Sequence, residues 1–323
     1  MKLSRRRFLK NGSLSLAGTM ILPEYILKAN SLNYPAGAQI MGLQLYSVRD
    51  DMKNDPTGTL QKLSAMGYKN VEHANYIDGK FYGYSPVEFK KLLEGLDLKM
   101  PSGHTVMSAD DYDDAKNDFT DKWKQTIEDA ATVGQKYVIS PWLDENLRKN
   151  YDDLVGFLEI FNKCGELCKK SGLKFGYHNH DFEFKYSLNG KKIYDIILEK
   201  TDPKLVLQQM DIGNMYGAGG RPLEIIKKYP GRFESMHVKD EIKSSGKGEM
   251  GDNYDSTVLG KGILPVKEII DLAKRKGGTT EFIIEQESYQ DKTPMECAKE
   301  DWKAMKNWDY YFHLRSTFKN FSV

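Results

Sequence analysis

The sequence is short of cysteine, of net charge and of long apolar runs, and each shortage removes a class of protein. Three cysteines in 323 residues, Cys164, Cys168 and Cys297, are too few for a disulfide framework, and a zinc cage would want more Cys or His partners at short spacing. They read as core thiols, the first two lying four apart on one helix face. Lys and Arg number 47 against 46 Asp and Glu, a net charge of +1. A nucleic-acid binder would carry a clear basic excess, so no nucleic-acid partner is expected. No apolar stretch reaches the about 20 residues that cross a bilayer. With 29% charged and 40% hydrophobic residues, the composition is that of a soluble globular protein. A phosphate-cradling G-x-G-x-x-G after a strand is also missing. Gly217-Ala218-Gly219-Gly220 follows a strand candidate at the wrong spacing, which weighs against an open dinucleotide-binding sheet.

What is present begins with an export address. Ser4-Arg5-Arg6-Arg7-Phe8-Leu9-Lys10 precedes a short, Gly- and Ser-diluted apolar stretch, Leu14 to Leu22. A basic segment followed by such a stretch is a secretion signal, and the paired arginines match the twin-arginine type, a receptor-read address rather than an anchor. Residues 1–32 are therefore expected to be a signal peptide cut somewhere between about residues 22 and 38. The twin-arginine export machinery is the expected partner, the periplasm the expected location, and no stable membrane anchoring is expected. Residues 1–10 hold five basic groups and no acid, so without them the balance becomes 42 against 46. The mature chain is mildly acidic.

From Gln39 onward, eight short apolar runs alternate with eight amphipathic stretches. The strand candidates are 40–46, 70–73, 98–104, 136–140, 174–180, 205–211, 233–238 and 281–287; the helix candidates are 56–66, 86–96, 114–133, 152–170, 194–200, 222–228, 264–276 and 294–314. Eight strand–helix repeats without a composition break predict one closed (β/α)8 TIM barrel over residues 33–323, in a single domain. Such a barrel carries its site at the C-terminal ends of the strands. Those ends are polar: Glu72-His73, His104, His178-Asn179-His180, Asp211, His237 and Lys239, and Glu285-Gln286-Glu287. Five of the six histidines fall there.

One such histidine would read as a strand cap. Five, converging with carboxylates, are costly to bury unless a divalent cation pairs them. Mixed nitrogen and oxygen ligands suit Mn, Zn, Co, Ni or Fe better than Mg or Ca. Alternate residues of a strand face the barrel interior, so His178 shares a face with His180 and Glu285 with Glu287, and each pair offers one ligand and one catalytic group. The expected ligands are His180, Asp211, His237 and Glu285, with His178 and Glu287 as close alternatives.

These residues make the chain similar to the xylose-isomerase-like barrel superfamily, often labelled sugar phosphate isomerase/epimerase. The resemblance runs through Gly42-Leu43-Gln44-Leu45-Tyr46-Ser47-Val48-Arg49, Val71-Glu72, the 177–184 segment Tyr-His-Asn-His-Asp-Phe-Glu-Phe, Met210-Asp211-Ile212-Gly213-Asn214, Met236-His237-Val238-Lys239-Asp240 and Ile284-Glu285-Gln286-Glu287. It implies one metal held by a Glu on strand five, an Asp on strand six, a His on strand seven and a Glu on strand eight. Asp211, His237 and Glu285 fit; the strand-five Glu is replaced by a His-x-His pair, which departs from the simple ketose epimerase mechanism. The pattern is similar to relatives acting on keto-sugars and keto-inositols, including dehydratases and enzymes that split 3-keto-glycosides.

The expected chemistry is proton abstraction next to a carbonyl, with the metal stabilising the enediolate. The base candidates are His178, Glu287, Glu183 and Lys239. Glu72, His104 and Glu183 are expected to bind a small carbohydrate substrate, and Tyr46, Arg49 and Trp142 to lie near it. The polar segment Glu241 to Asp255 is expected to be a loop able to cover the mouth. Because phosphorylated sugars are mainly intracellular, export favours an unphosphorylated substrate and cleavage of a 3-keto-glycoside, ahead of isomerisation or epimerisation. A non-catalytic sugar-binding protein would explain export but not the histidine-rich mouth. An oligomer is compatible with the sequence.

Overall fold

The computed structural model describes residues 40–249, 253–308 and 310. The export address lies outside the described residues. Eight parallel strands close a barrel: β1 (Ile40–Gln44), β2 (Asn70–His73), β3 (Lys99–His104), β4 (Tyr137–Ser140), β5 (Lys174–His178), β6 (Val206–Asp211), β7 (Ser235–Val238) and β8 (Glu281–Ile284), each paired with its chain neighbours and β8 with β1. Around it lie α1 (Pro56–Met66), α2 (Pro86–Gly95), α3 (Asp121–Val133), α4 (Tyr151–Lys170), α5 (Ile193–Lys200), α6 (Pro222–Lys228), α7 (Val266–Leu272) and α8 (Pro294–Asn307). The (β/α)8 expectation is met.

The helices start where capping chemistry starts them. Ser85 and Thr293 each form a reciprocal capping box, with Glu88 and Glu296, ahead of a first-turn proline. α1 and α3 stop at Gly67 and Gly134, both left-handed at φ 112° and 96°. Three helix expectations change by more than one residue at an end. The helix expected from Asp114 begins at Asp121, because Thr120 caps it and residues 112–119 fold into a small hairpin, Tyr112–Asp113 against Asp118–Phe119. α7 begins after Pro265 and closes in a π-helical turn, Ala273–Gly277. α8 ends at Asn307, and the 311–314 part of the helix expected there lies outside the described residues.

Strands β5 and β8 are shorter than expected, ending at His178 and Ile284. His180, Glu285 and Glu287 therefore sit in loops, where alternation no longer decides which way a side chain faces. The 241–255 segment is also more ordered than a plain loop: Asp240–Lys243 pairs antiparallel with Tyr254–Thr257. Asp240 ties this hairpin to the following turn by accepting from the backbone N–H groups of Gly260, Gly262 and Leu264. The apolar core fills the layer between barrel and helices, with Phe161, Phe175, Phe233 and Phe282 essentially unexposed, while Tyr137, Ile139 and Leu207 pack together as a small separate cluster. Cys164, Cys168 and Cys297 are free and buried, as core thiols should be. Among the described residues no helix is long and apolar enough to cross a membrane.

Candidate active site

The polar strand ends meet at one mouth. Asp211 lies opposite His237 in the β6–β7 register, and Gln209, one pleat lower, lies opposite both His178 and Ser235. Single donor atoms of His178, Asp211, His237 and Glu285 lie within 4.8 Å of one another, and those of His104, His178 and His237 form a second such group. His178 thus occupies the place expected for His180. The physical reason is the early end of β5: beyond His178 the chain turns, and the His180 backbone N–H is drawn to the Glu183 carboxylate. The His180 ring instead lies edge-on to Trp142, 5.5 Å between centroids, with its buried Nδ1 unpartnered.

Gln209 decides what His178 can do. Its Nε2 donates to Glu72 Oε2 at 2.8 Å, and a carboxylate can only accept, so this contact assigns the amide orientation. Gln209 Oε1 then faces His104 Nε2 at 2.7 Å and His178 Nδ1 at 3.0 Å. Both histidines must carry their proton on those nitrogens. Burial, aided by neighbouring histidines, holds the His178 pKa well below its usual value. The ring is therefore neutral, and its Nε2 lone pair lies 3.9 Å from Asp211 Oδ2. An outer hydrogen bond that presents a histidine lone pair in this way is what a metal ligand requires.

Glu72 sits beneath the mouth rather than lining it. Fully buried, it accepts from Gln44 Nε2 (2.7 Å), Ser102 Oγ and Gln209 Nε2, and its Oε1 lies 2.5 Å from His237 Nε2. The other nitrogen of His237, Nδ1, is 2.9 Å from Glu285 Oε2. Burial opposes a charge on His237, but Glu285 and Glu72 overcome it and raise its pKa to about 10. Burial would likewise raise Glu72, yet His104 and His237 bring it down to about 2. Beside this pair lies Lys239, fully buried, its Nζ 2.5 Å from Glu287 Oε1, 2.9 Å from Glu285 Oε2 and 3.3 Å from Asp211 Oδ2. Burial opposes its charge too; the three carboxylates hold its pKa well above the ordinary lysine value.

The donor set fits a divalent cation. Asp211 Oδ2 is buried and accepts no hydrogen bond, and burial lifts the Asp211 pKa to about 6. Two imidazoles and two carboxylates on β5, β6, β7 and the β8 loop suit a first-row transition metal. Of the other expected residues, Glu183 turns away. Its buried carboxylate takes the Tyr177 hydroxyl and the His180 N–H, and burial raises its pKa to about 7. His104 faces the mouth, its ring stacked 5.1 Å from that of His237. Arg49 Nη1 donates to the Tyr289 hydroxyl at 2.7 Å and its Nη2 to the Glu287 carbonyl at 3.4 Å. Trp142 and Tyr46 remain partly exposed at the rim. Gln44, Ser102, Gln209 and Ser235, the inward polar side chains one level down, were missed by sequence reasoning. Their signal is a polar residue two positions before an already suspected strand end.

A family model described as the xylose isomerase-like TIM barrel matches residues 60–308. An inosose dehydratase of Clostridium botulinum is 24% identical over 208 residues, 59% of this chain and 66% of that protein. One of Bacillus licheniformis is 26% identical over 191 residues, 54% of this chain and 62% of that protein. The chain thus spans somewhat under two thirds of the length of these curated relatives. A sugar phosphate isomerase/epimerase from Parabacteroides distasonis superposes with a TM-score of 0.71 at 26% identity, covering 86% of this chain and 97% of that one. The IOLI protein, solved with a bound zinc atom, superposes at 0.64 with 13% identity, over 85% and 99% of the two chains, a likeness of fold alone.

Proposed function

The chain belongs to the xylose isomerase-like TIM barrel family, and we propose that it is a metal-assisted lyase for keto-sugars that cleaves 3-keto-glycosides outside the cytoplasm. Held by His178, Asp211, His237 and Glu285, a divalent metal would polarise the substrate ketone and acidify the adjacent C–H. His178 then serves as ligand, and the base is Glu287, which enters the mouth beside the donors. Lys239 holds the Glu287 carboxylate in place. The proton moves from the carbon to Glu287, the electron pair becomes the new C=C bond, and the bond to the β-substituent breaks. Water protonates the departing oxygen.

The observation that carries elimination over epimerisation is the one-sided placement of the glutamates at the mouth. Glu285 and Glu287 both follow β8, whereas of the two acids that follow β5, Asp181 pairs with Lys185 and Glu183 is held by Tyr177 and His180. Returning a proton to the opposite face needs a second acid on that side, and β5 offers imidazole instead. The relatives named as dehydratases agree with this reading. Mixing metal-loaded protein with a 3-keto-glycoside should release the aglycone. Formation of an epimer with no release would overturn the proposal.

Location rests on Arg5 and Arg6. Replacing both with lysine should leave the protein in the cytoplasm upon fractionation of the cells; unchanged export would remove the twin-arginine assignment.

A further inference from the structure

Outside the donor cluster, a groove of about 740 Å3 runs outward from His104 between the 74–79 loop after β2 and the 104–111 loop after β3, and over the first turns of α3. It touches the cluster only at His104, so one sugar ring seated on the donors would leave it largely empty. Pockets of about 300–1,000 Å3 accept ligands well beyond a single ring. We propose that this groove is a second sugar-binding subsite, which seats the neighbouring ring of a keto-disaccharide. The proposal rests on the keto-glycoside reading for what occupies the mouth, and it adds what the leaving group is.

The lining chooses the ligand. Asn75, Thr105 and Lys122 line the groove, and their side chains make no hydrogen bond to another described residue. An amide, a hydroxyl and an ammonium supply the mixture of donors and acceptors that a ring of hydroxyls requires. Beside them stand two bare aliphatic groups, Ile77 at 61% and Val106 at 49% exposure. Polar edges next to small apolar surfaces match a pyranose, whose C–H face is apolar and whose rim is hydroxylated.

Other occupants fit less well. Asp78 and Asp111 lie in the same groove as Lys122, so the lining has no cationic excess to attract a phosphate. Of the two aromatics in the lining, Trp123 is buried, and Tyr76 is packed against Phe81 with its hydroxyl on Asp129, while the more exposed Tyr46 and Trp142 lie outside it. The groove is also continuous with the mouth at the residue whose ring stacks on His237, so a disaccharide can span both without leaving either.

Binding tests this without turnover, so that failure of the lyase reading and failure of the subsite are told apart. Calorimetric titration of the whole protein with cellobiose, methyl β-glucoside and phenyl β-glucoside should show the disaccharide binding at least about tenfold tighter than the methyl glycoside, about 1.4 kcal/mol. Filling the groove with Val106→Trp, or removing the ammonium with Lys122→Ala, should bring that ratio towards one. Val106 and Lys122 are exposed, so both variants should fold. A ratio of one in the unaltered protein, or one that neither variant moves, overturns the subsite, as does absence of disaccharide binding at millimolar concentration. An equal or larger gain for the phenyl glycoside overturns the assignment to a sugar.

Discussion

Replacement of Glu287 by glutamine is expected to lower kcat on a 3-keto-glycoside by about 10²- to 10⁴-fold, the range that a positioned general base supplies, with a much smaller change in KM. Gln keeps the length of the side chain and an oxygen able to accept from Lys239, now 2.5 Å from Glu287 Oε1. Thermal unfolding should therefore move little while proton abstraction stops. Burial raises the Glu287 pKa, with Lys239 opposing that rise. Activity of the unaltered enzyme should accordingly climb with pH through a value above the ordinary carboxylate range, and the Gln variant should lose that rising limb. Stopped-flow detection of exchange of the substrate C–H with deuterium from solvent isolates the step. Exchange as fast in the variant as in the parent would transfer the base role to another group.

Removing the carboxylate beneath the mouth should unfold the protein more readily than it disturbs binding. Glu72→Ala is expected to cost about 3–5 kcal/mol, since deleting one partner of a buried charged pair strands the other. Gln44, Ser102, Gln209 and His237 would all lose an acceptor at once. For a domain of this size that is a fall in Tm of about 6–20 °C; a fall of less than about 2 °C would mean the network relaxes onto water. The pair also has a pH signature in metal-free protein. Folded His237 keeps its proton up to about pH 10 against 6.5 for an ordinary histidine, so its contribution is full below pH 6.5 and is lost as pH rises towards 10. Glu72, held down to about 2 from 4.5, contributes fully above pH 4.5 and loses its share as pH falls towards 2. Glu72→Ala should flatten both limbs of a plot of Tm against pH.

Most of the fold was legible because it depends on local chemistry. Two of the eight helices, Pro56–Met66 and Pro222–Lys228, have the bounds that first-turn proline and the following apolar period predict, and β2 runs Asn70–His73 as expected. The errors share a cause. β5 and β8 look longer in the sequence because candidate ligands continue past His178 and Ile284, as Asn179-His180 and Glu285-Gln286-Glu287. Nothing local says that the ladder of backbone bonds stops there; the stopping point depends on the neighbouring strands. With it went the choice between His178 and His180.

The sequence by itself determined the barrel, the end of the barrel that carries the chemistry, and the residue types gathered there, because periodicity and strand-end position are properties of a linear chain. Only the tertiary structure decided which nitrogen faces which oxygen. Gln209, unremarked in the sequence, orients His178 because Glu72, 137 positions away, holds its amide; Glu183, prominent in the motif, is withdrawn by Tyr177. Hydrogen-bond partners across a closed barrel are fixed by register and by which groups can only accept, and neither is written at any single position.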